Sequence, residues 1–309
     1  MESTRVLVVR GSKALGAVIA ESEESAELRL VFFAPSDEAL HRVQIRERLY
    51  LGKSLDSAKT EHFVAVVIDT DSDLDLTGAV TPALASDEGR ERAGVSTPEW
   101  ADLRVWGHAM SERDTGLFTQ ALALANWHAT HRFSPTTGES TEPTSAGWVR
   151  TTPSNRQLFP RTDVAVIVLV TDDRDRILLG NNAMWEPNRF SLLAGYVDPG
   201  ESLEAAVERE VFEESGLQVD RAEYKGSQPW PFPASLMVGF VARVRADTDA
   251  SALAPDGEEI LSLRWFTREE LRASLDDIVL PGRTSIARSL IEDWFGEPLE
   301  QNAVWLGSR

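Results

Sequence analysis

Between Gly195 and Leu217 the chain reads GYVDPGESLEAAVEREVFEESGL, and nine positions fit the spacing G-x5-E-x7-R-E-U-x-E-E-x-G-U, where U is a bulky aliphatic residue. They are Gly195, Glu201, Arg209, Glu210, Val211, Glu213, Glu214, Gly216 and Leu217. Ser202 suits an N-cap, Leu203 to Ser215 holds neither glycine nor proline, and Gly216 stands where a helix needs a left-handed residue to stop. The expected local structure is loop, helix, turn. At about 100° per residue, Glu210, Glu213 and Glu214 share a sector with Leu203, Ala206 and Val207, so the acidic patch continues an apolar, core-facing stripe. Carboxylates gathered at the edge of a buried surface repel one another and resist desolvation, unless a hard cation offsets both costs. Mg2+ or Mn2+ suits such an oxygen set, and the chemistry it permits is attack of water on the phosphorus of a diphosphate. The plainer alternative is a solvated acidic face with Arg209 pairing Glu213 at i, i+4.

In the catalytic reading Glu213 and Glu214 are the primary ligands. Glu210 completes the set as a ligand or by positioning water, and Arg209 orients a neighbouring carboxylate. Glu201, in the loop before the helix, is placed to reach the same cations. Ten residues after Leu217 comes a second segment, SQPWPFPASLM, from Ser227 to Met237. Three prolines alternating with two aromatics cannot form a helix or a central strand, which predicts a stiff extended loop presenting flat rings to flat bases.

The box is similar to that of the Nudix hydrolases, and Ser227 to Ser235 resembles the SQPWPFPxS motif of the NADH pyrophosphatases within them, with Ala234 at the variable position. The resemblance implies metal-dependent hydrolysis of the pyrophosphate of NADH or NAD+ to AMP and nicotinamide mononucleotide, and extends to NAD caps on RNA. It implies substrate contacts from Phe159, Tyr196, Gln228, Trp230, Phe232 and Ser235, and from the backbone of Ala287. Glu259, six residues before Trp265, becomes a metal ligand or base. Other Nudix substrates, such as ADP-ribose or other dinucleotides, stand next in order. A non-catalytic NAD or ADP-ribose sensor is the reading from another class, and the intact Glu210, Glu213 and Glu214 speak against it. A homodimer comes from the family alone.

The implied fold class is α/β: a Nudix α/β/α sandwich with a mixed sheet over residues 161–309, preceded by a smaller α+β domain over residues 1–125. In the later domain strands are expected at Ala165–Thr171, Arg176–Leu179, Leu192–Val197, Leu236–Val244 and Leu263–Phe266, with helices at Arg268–Ser274 and Thr284–Phe295. In the earlier one a strand is expected at Phe63–Ile68 and a helix near Asp114–Thr130. Between the domains, residues 126–160 occupy the place of the family's four-cysteine zinc ribbon. Ser134, Thr137, Thr152 and Asn155 fall at or near the cysteine positions, and none offers a thiolate, so no structural zinc is expected. The tract is then either a mobile linker or a metal-free remnant held by Trp148 and Phe133.

The 309 residues are 42% hydrophobic, ample for two cores, and lack an apolar run long enough to span a membrane. Ala14 to Ala20 is apolar but short, and reads as a strand rather than a leader. The absence of cysteine fits a cytoplasmic enzyme. A formal charge of −19 argues against general nucleic-acid binding and predicts weakened attraction for the chain of a capped RNA. Asp69, Asp71, Asp73 and Asp75 alternate as in a calcium loop, but Leu74 replaces the required glycine and Val80 the closing glutamate. His128 and His131 lack a visible partner ligand and read as helix-surface residues.

Overall fold

Strand Asp163–Thr171 organises the later half of the chain through simple alternation. Val166, Val168 and Val170 point to one face, where they meet Ala206, Val207 and Val211 of helix Leu203–Ser215. Ile167 and Leu169 point to the other, against Leu271 of helix Arg268–Ala273 and Ala287, Leu290, Ile291 and Phe295 of helix Ile286–Phe295. A strand buried on both faces reads as a continuous apolar run, as VAVIVLV does. Each such side chain contributes roughly 1.5–3 kcal/mol on burial. The result is an α/β/α sandwich.

The computed structural model describes residues 3–20, 26–54, 60–74, 76 and 96–300. Asp75 and Val80 of the acidic alternation lie outside them, while Asp69 pairs with Arg46. Two units emerge: Met1–Arg161 with Pro231–Ala234, and Thr162–Trp230 with Ser235–Arg309. The six-stranded sheet of the second runs in the order Val219–Trp230, Ser235–Val244, Asp163–Thr171, Ile177–Asn182, Ile260–Phe266, with Leu193–Tyr196 paired to Asp163–Thr171. It is mixed, because Ser235–Val244 lies parallel to Asp163–Thr171 while the other pairings are antiparallel.

Three expectations need correction here. The segment Ser227 to Ser235 is not one extended loop. Its first half finishes the strand Val219–Trp230, and only Pro231 to Ala234 form the turn of a hairpin into Ser235–Val244. Pro229 is accommodated because this strand lies at the sheet's edge, where a missing N–H removes no ladder bond.

The first unit has a seven-stranded sheet in which Ser3–Arg10 and Glu61–Ile68 are parallel neighbours. The apolar run at Ala14 lies in strand Lys13–Ala20. Helix Glu112–Thr130 covers one face with Leu117, Phe118, Ala121, Leu122, Leu124 and Ala125.

The second correction concerns residues 126–160. Phe133 is 65% exposed and Trp148 40% exposed, so apolar packing by these rings is not what holds the tract. It forms a three-stranded sheet, Glu142–Thr144, Val149–Thr151 and Gln157–Leu158, stabilised by polar bonds. Ser134 Oγ accepts from the backbone of Thr136 and Thr137, and Thr152 Oγ1 accepts from Arg156 N. The Glu139 carboxylate joins the two knuckles by accepting from Thr137 Oγ1 (2.9 Å) and Ser154 Oγ (2.6 Å). These hydroxyls hold its carboxyl below the usual range.

His128 is buried rather than on the helix surface. Its Nε2 bonds Gly147 O at 2.8 Å, its Nδ1 faces Arg150 Nη1 at 2.8 Å, and burial pushes the imidazole below its usual pKa. Buried Arg150 also donates to Thr141 Oγ1 and O and approaches Glu47. Removing a buried guanidinium leaves these acceptors unpaired. Arg150→Ala is therefore expected to lower unfolding stability by about 3 kcal/mol in a urea titration. Once the catalytic cation has been removed, elemental analysis should find no stoichiometric zinc, and its presence would contradict a ribbon held without metal.

Candidate active site

Helix Leu203–Ser215 begins and ends on the residues its sequence marks. Ser202 Oγ accepts from Ala205 N at 3.2 Å, and Gly216 closes the helix at φ +74°. Its inner stripe passes from Ala206 and Val207 to Glu210 and Glu214, so two carboxylates enter the helix–sheet interface. Glu214 is only 4% exposed, and its Oε2 has no hydrogen-bond partner. Burial, reinforced by the charges of Glu259 and Glu210, pushes its pKa up to about 9, against a backbone hydrogen bond from Ala194 that favours ionisation. Glu210 is shifted upward too, first by burial and further by Glu213 and Glu259. Glu213 lies at the margin, its side chain 57% exposed.

Gly195 explains how Glu210 fits. A Cβ at this position would overlap the Glu210 carboxyl group, so the glycine is the recess in which that carboxylate lies. Arg209 gathers the remaining charges. It forms a two-pronged bond to Glu201 (Nε to Oε1 and Nη2 to Oε2, both 2.8 Å), and donates to Glu210 at 2.8 Å, Glu213 at 3.0 Å and the Tyr196 carbonyl at 2.9 Å. The guanidinium holds Glu201 down to about 2. Both oxygens of Glu201 are thus engaged by Arg209, and it stands as a brace for the arginine.

Glu259 arrives from the opposite side on a loop built around Asp256. Asp256 Oδ1 accepts from the backbone N–H groups of Glu258, Glu259 and Ile260. Asp256 was not singled out from the sequence, although the DGEE run carries the signature of such a side-chain-to-backbone turn. Glu259 is exposed, and its backbone carbonyl accepts from Ala183 N.

Among the described residues, no three acidic or histidine side chains are drawn into a ready ligand cage. Arg209 pulls Glu201, Glu210 and Glu213 to itself, and like charges keep Glu214, Glu210 and Glu259 apart. A hard divalent cation nevertheless fits the donor set: all donors are carboxylate oxygens, and the orphaned Glu214 Oε2 is the atom such an ion would satisfy.

A profile described as NUDIX domain matches residues 161–288, and one described as NADH pyrophosphatase-like rudimentary NUDIX domain matches residues 3–127. The chain thus carries a Nudix domain over residues 161–288 and a rudimentary one over residues 3–127. Two proteins called NAD-capped RNA hydrolase NudC, from Mycobacterium bovis and Mycobacterium tuberculosis, are each 47% identical to it over 207 residues, covering 63% of this chain and 65% of theirs. Human NAD-capped RNA hydrolase NUDT12 is 35% identical over 200 residues, covering 60% of this chain and 42% of its own. The chain thus spans about 65% of the length of the mycobacterial relatives it matches.

The Nudix residues expected at the substrate are brought together only in part. Tyr196, 56% exposed, bonds Ser235 Oγ through its hydroxyl at 3.2 Å. Trp230 ends the edge strand directly opposite Ser235. Gln228 is already occupied: its Nε2 donates to Thr284 O at 2.6 Å and its Oε1 accepts from Ile286 N at 2.8 Å. It fastens the edge strand to the start of helix Ile286–Phe295, where Ser285 caps Ala287 N. Ala287 is buried. In the first unit Phe159 is 63% exposed, whereas Phe232 packs on that unit's core beneath Arg104, 4.9 Å from the ring centre. Asn126 holds this turn by donating to the carbonyls of Pro231 and Pro233.

The raised pKa of Glu214 makes a signed prediction. Between the normal carboxylate value and about 9, the folded state retains a proton that the unfolded state has released. Stability of metal-free protein must then fall as pH rises through this window, at most about 1.4 kcal/mol per pH unit. Scanning fluorimetry in chelator should show the melting temperature declining from about pH 5 to pH 8. Glu214→Gln should flatten the decline, and excess Mn2+ should flatten it in the wild type. Gly195→Ala should displace Glu210 while leaving the far-UV circular dichroism unchanged.

Proposed function

We propose that this protein hydrolyses the pyrophosphate of NADH or NAD+, and of an NAD cap on RNA, releasing AMP or the RNA 5′ end together with nicotinamide mononucleotide. The observation that carries the reading is the buried Glu214 carboxyl group, whose Oε2 has no hydrogen-bond partner, close to the charges of Glu210 and Glu259. A buried carboxyl group that can ionise only at a cost suits a site where a cation arriving with the ligand stabilises its charged form. The relatives' names, with the SQPWPFPAS segment, direct the substrate choice.

Nudix hydrolases generally use divalent metals. Mg2+ or Mn2+, when bound, neutralises charge on diphosphate oxygens and makes water easier to deprotonate. Glu214, Glu210 and Glu213 would hold it, with Glu259 as a further ligand or the base. Arg209 keeps Glu210 and Glu213 in place through charge-assisted bonds, with Glu201 as its brace. Gly195 lets the Glu210 carboxylate approach the strand backbone. Glu259 has no hydrogen-bond or ion-pair partner of its side chain among the described residues, which suits it to take a proton at its carboxylate. Trp230 and Tyr196 offer rings to the base or nicotinamide, and Tyr196 is oriented by Ser235. Gln228 acts by positioning, since it fixes the strand that carries Trp230.

Residues 1–125 serve as support, 126–160 as a metal-free ribbon and 161–309 as the catalytic domain. The resemblance adds a cytoplasmic homodimer.

Incubation with NADH and Mn2+, followed by chromatography, should yield AMP and reduced nicotinamide mononucleotide. Intact NADH after prolonged incubation would defeat the proposal, and faster cleavage of ADP-ribose would redirect it. Glu214→Gln should lower kcat by at least about 100-fold with the fold retained. Trp230→Ala should raise KM for NADH more than it slows cleavage of a non-aromatic diphosphate ester. Equal losses on both substrates would make Trp230 structural.

A further inference from the structure

At the far end of the same sheet lies a groove of about 650 Å³ with an unusual lining for so acidic a chain. Arg174, Arg176, Arg221, Arg243 and Arg245 line it, against three acidic residues, Asp173, Asp220 and Asp249. Asp172 and Asp247 stand beside this lining, so five arginines meet five aspartates and the region is balanced in charge, on a protein whose formal charge is −19. Two of the arginines are committed: Arg176 to Asp172, and Arg245 to Asp247. The other three, Arg174, Arg221 and Arg243, are exposed, and no hydrogen bond or ion pair reaches their guanidinium groups among the described residues.

Their placement is built by the backbone. Arg174 sits in the hairpin turn that Asp172 fixes by accepting from the backbone of Arg174 and Arg176. Arg221 has φ +52° and falls at an irregularity in the pairing of Val219–Trp230 with Ser235–Val244, a conformation disfavoured for a side chain that is not glycine. Such a bulge re-aims the side chain it carries, here into the groove that Arg243 borders from the neighbouring strand.

The groove also communicates with the catalytic side along the chain. The segment that lines it from Arg245 to Ser251 continues to Ala254, whose N–H bonds Ser215 O at the end of the Nudix helix, and then to Asp256 and Glu259. Along strand Asp163–Thr171, Val166 opposes Gly195, and Asp173 of the groove lies beyond the other end, about 20 Å away.

The geometry points to an anion-binding groove for the phosphodiester chain of single-stranded RNA. Guanidinium groups match phosphate oxygens with paired N–H donors, and several of them spread along a channel suit successive phosphates better than one isolated ion. A concave lining excludes a flat membrane surface. The proposal rests on the capped-RNA reading for its biological use, since a cap held at the glutamates leaves its attached chain to be guided. Overall acidity would confine the attraction to this channel and keep binding to uncapped RNA weak and steeply dependent on salt.

The test uses the full chain and a fluorescein-labelled, uncapped single-stranded RNA with a 5′-hydroxyl, read by anisotropy over a salt series. The triple variant Arg174→Ala/Arg221→Ala/Arg243→Ala should bind at least tenfold more weakly, with a salt slope shallower by about 2. Its kcat/KM on NAD-capped RNA should fall by a similar factor while its rate on NADH is unchanged. No detectable wild-type binding, or equal binding by the triple variant, would overturn the assignment. Displacement of the RNA by inorganic phosphate at equal phosphate concentration would reduce the groove to a simple anion site and overturn it as well. Binding that persists in a protein inert toward NADH would sink the proposed function and leave the groove standing.

Discussion

The structure depends on one electrostatic constraint: a carboxyl group is held inside a helix–sheet interface where, among the described residues, no cationic side chain bonds it and ionisation is costly. Glu214 enters the same stripe as Ala206, Val207 and Val211, at a position where an apolar side chain would be stabilising. The surroundings would not cancel the charge of its ionised form. Arg209 is the nearest cation to the helix carboxylates, yet its donors are used on Glu201, Glu210, Glu213 and the Tyr196 carbonyl, and no bond to Glu214 is among them. A guanidinium one turn deeper would satisfy the pocket permanently and close it to any exchangeable cation. By stopping one side chain short, the arginine organises the rim and leaves the interior demand open.

Rigidity around this charge comes from short local devices. Ser202 and Gly216 fix the ends of the helix, the missing side chain of Gly195 seats Glu210, and Asp256 ties down the turn that brings Glu259. The SQPW strand is fastened within its own unit. Gln228 uses both ends of its amide on the start of helix Ile286–Phe295, and the turn that follows Trp230 has its own anchors in Asn126 and Arg104. Side chains expected to touch substrate therefore divide into those that present a surface, Tyr196 and Trp230, and those that hold the presenters, Gln228 and Ser235.

What was legible in the chain follows the range of the interaction concerned. The Nudix helix was read to the residue, because caps and a breaker-free interior are local signals. The doubly buried strand after Asp163 was legible for the same reason. Strand Val219–Trp230 was not, since VDRAEYKGSQPW is polar, contains glycine and proline, and earns strand geometry only from its one paired neighbour. His128 was misplaced on the surface because the helix's own periodicity could not reveal that Gly147 and Arg150 would cover it. Glu139 gave no sign at all. Its bonds to Thr137 and Ser154 join two turns that become neighbours only once the ribbon has formed.

The ribbon and the groove show how far charge placement departs from charge totals. A zinc-bound ribbon crosslinks two knuckles by coordination; here hydroxyls, backbone amides and one carboxylate occupy the corresponding turns, so the crosslink is a set of weak directional bonds in place of a few strong ones. Thr137 Oγ1 donates to the Glu139 carboxylate and accepts from Glu139 N, while Ser154 Oγ donates to the same carboxylate and bonds Thr152 Oγ1. The arginine groove argues similarly against reading −19 as uniform repulsion. Screening limits each exposed charge to neighbours within about 10 Å, so a phosphate in the channel responds chiefly to the unpaired Arg174, Arg221 and Arg243 and to Asp173, Asp220 and Asp249 beside them, and only faintly to acidic residues farther off. The same short range keeps those arginines from neutralising Glu214, and so one sheet can carry an acidic site at one end and an arginine-lined channel at the other.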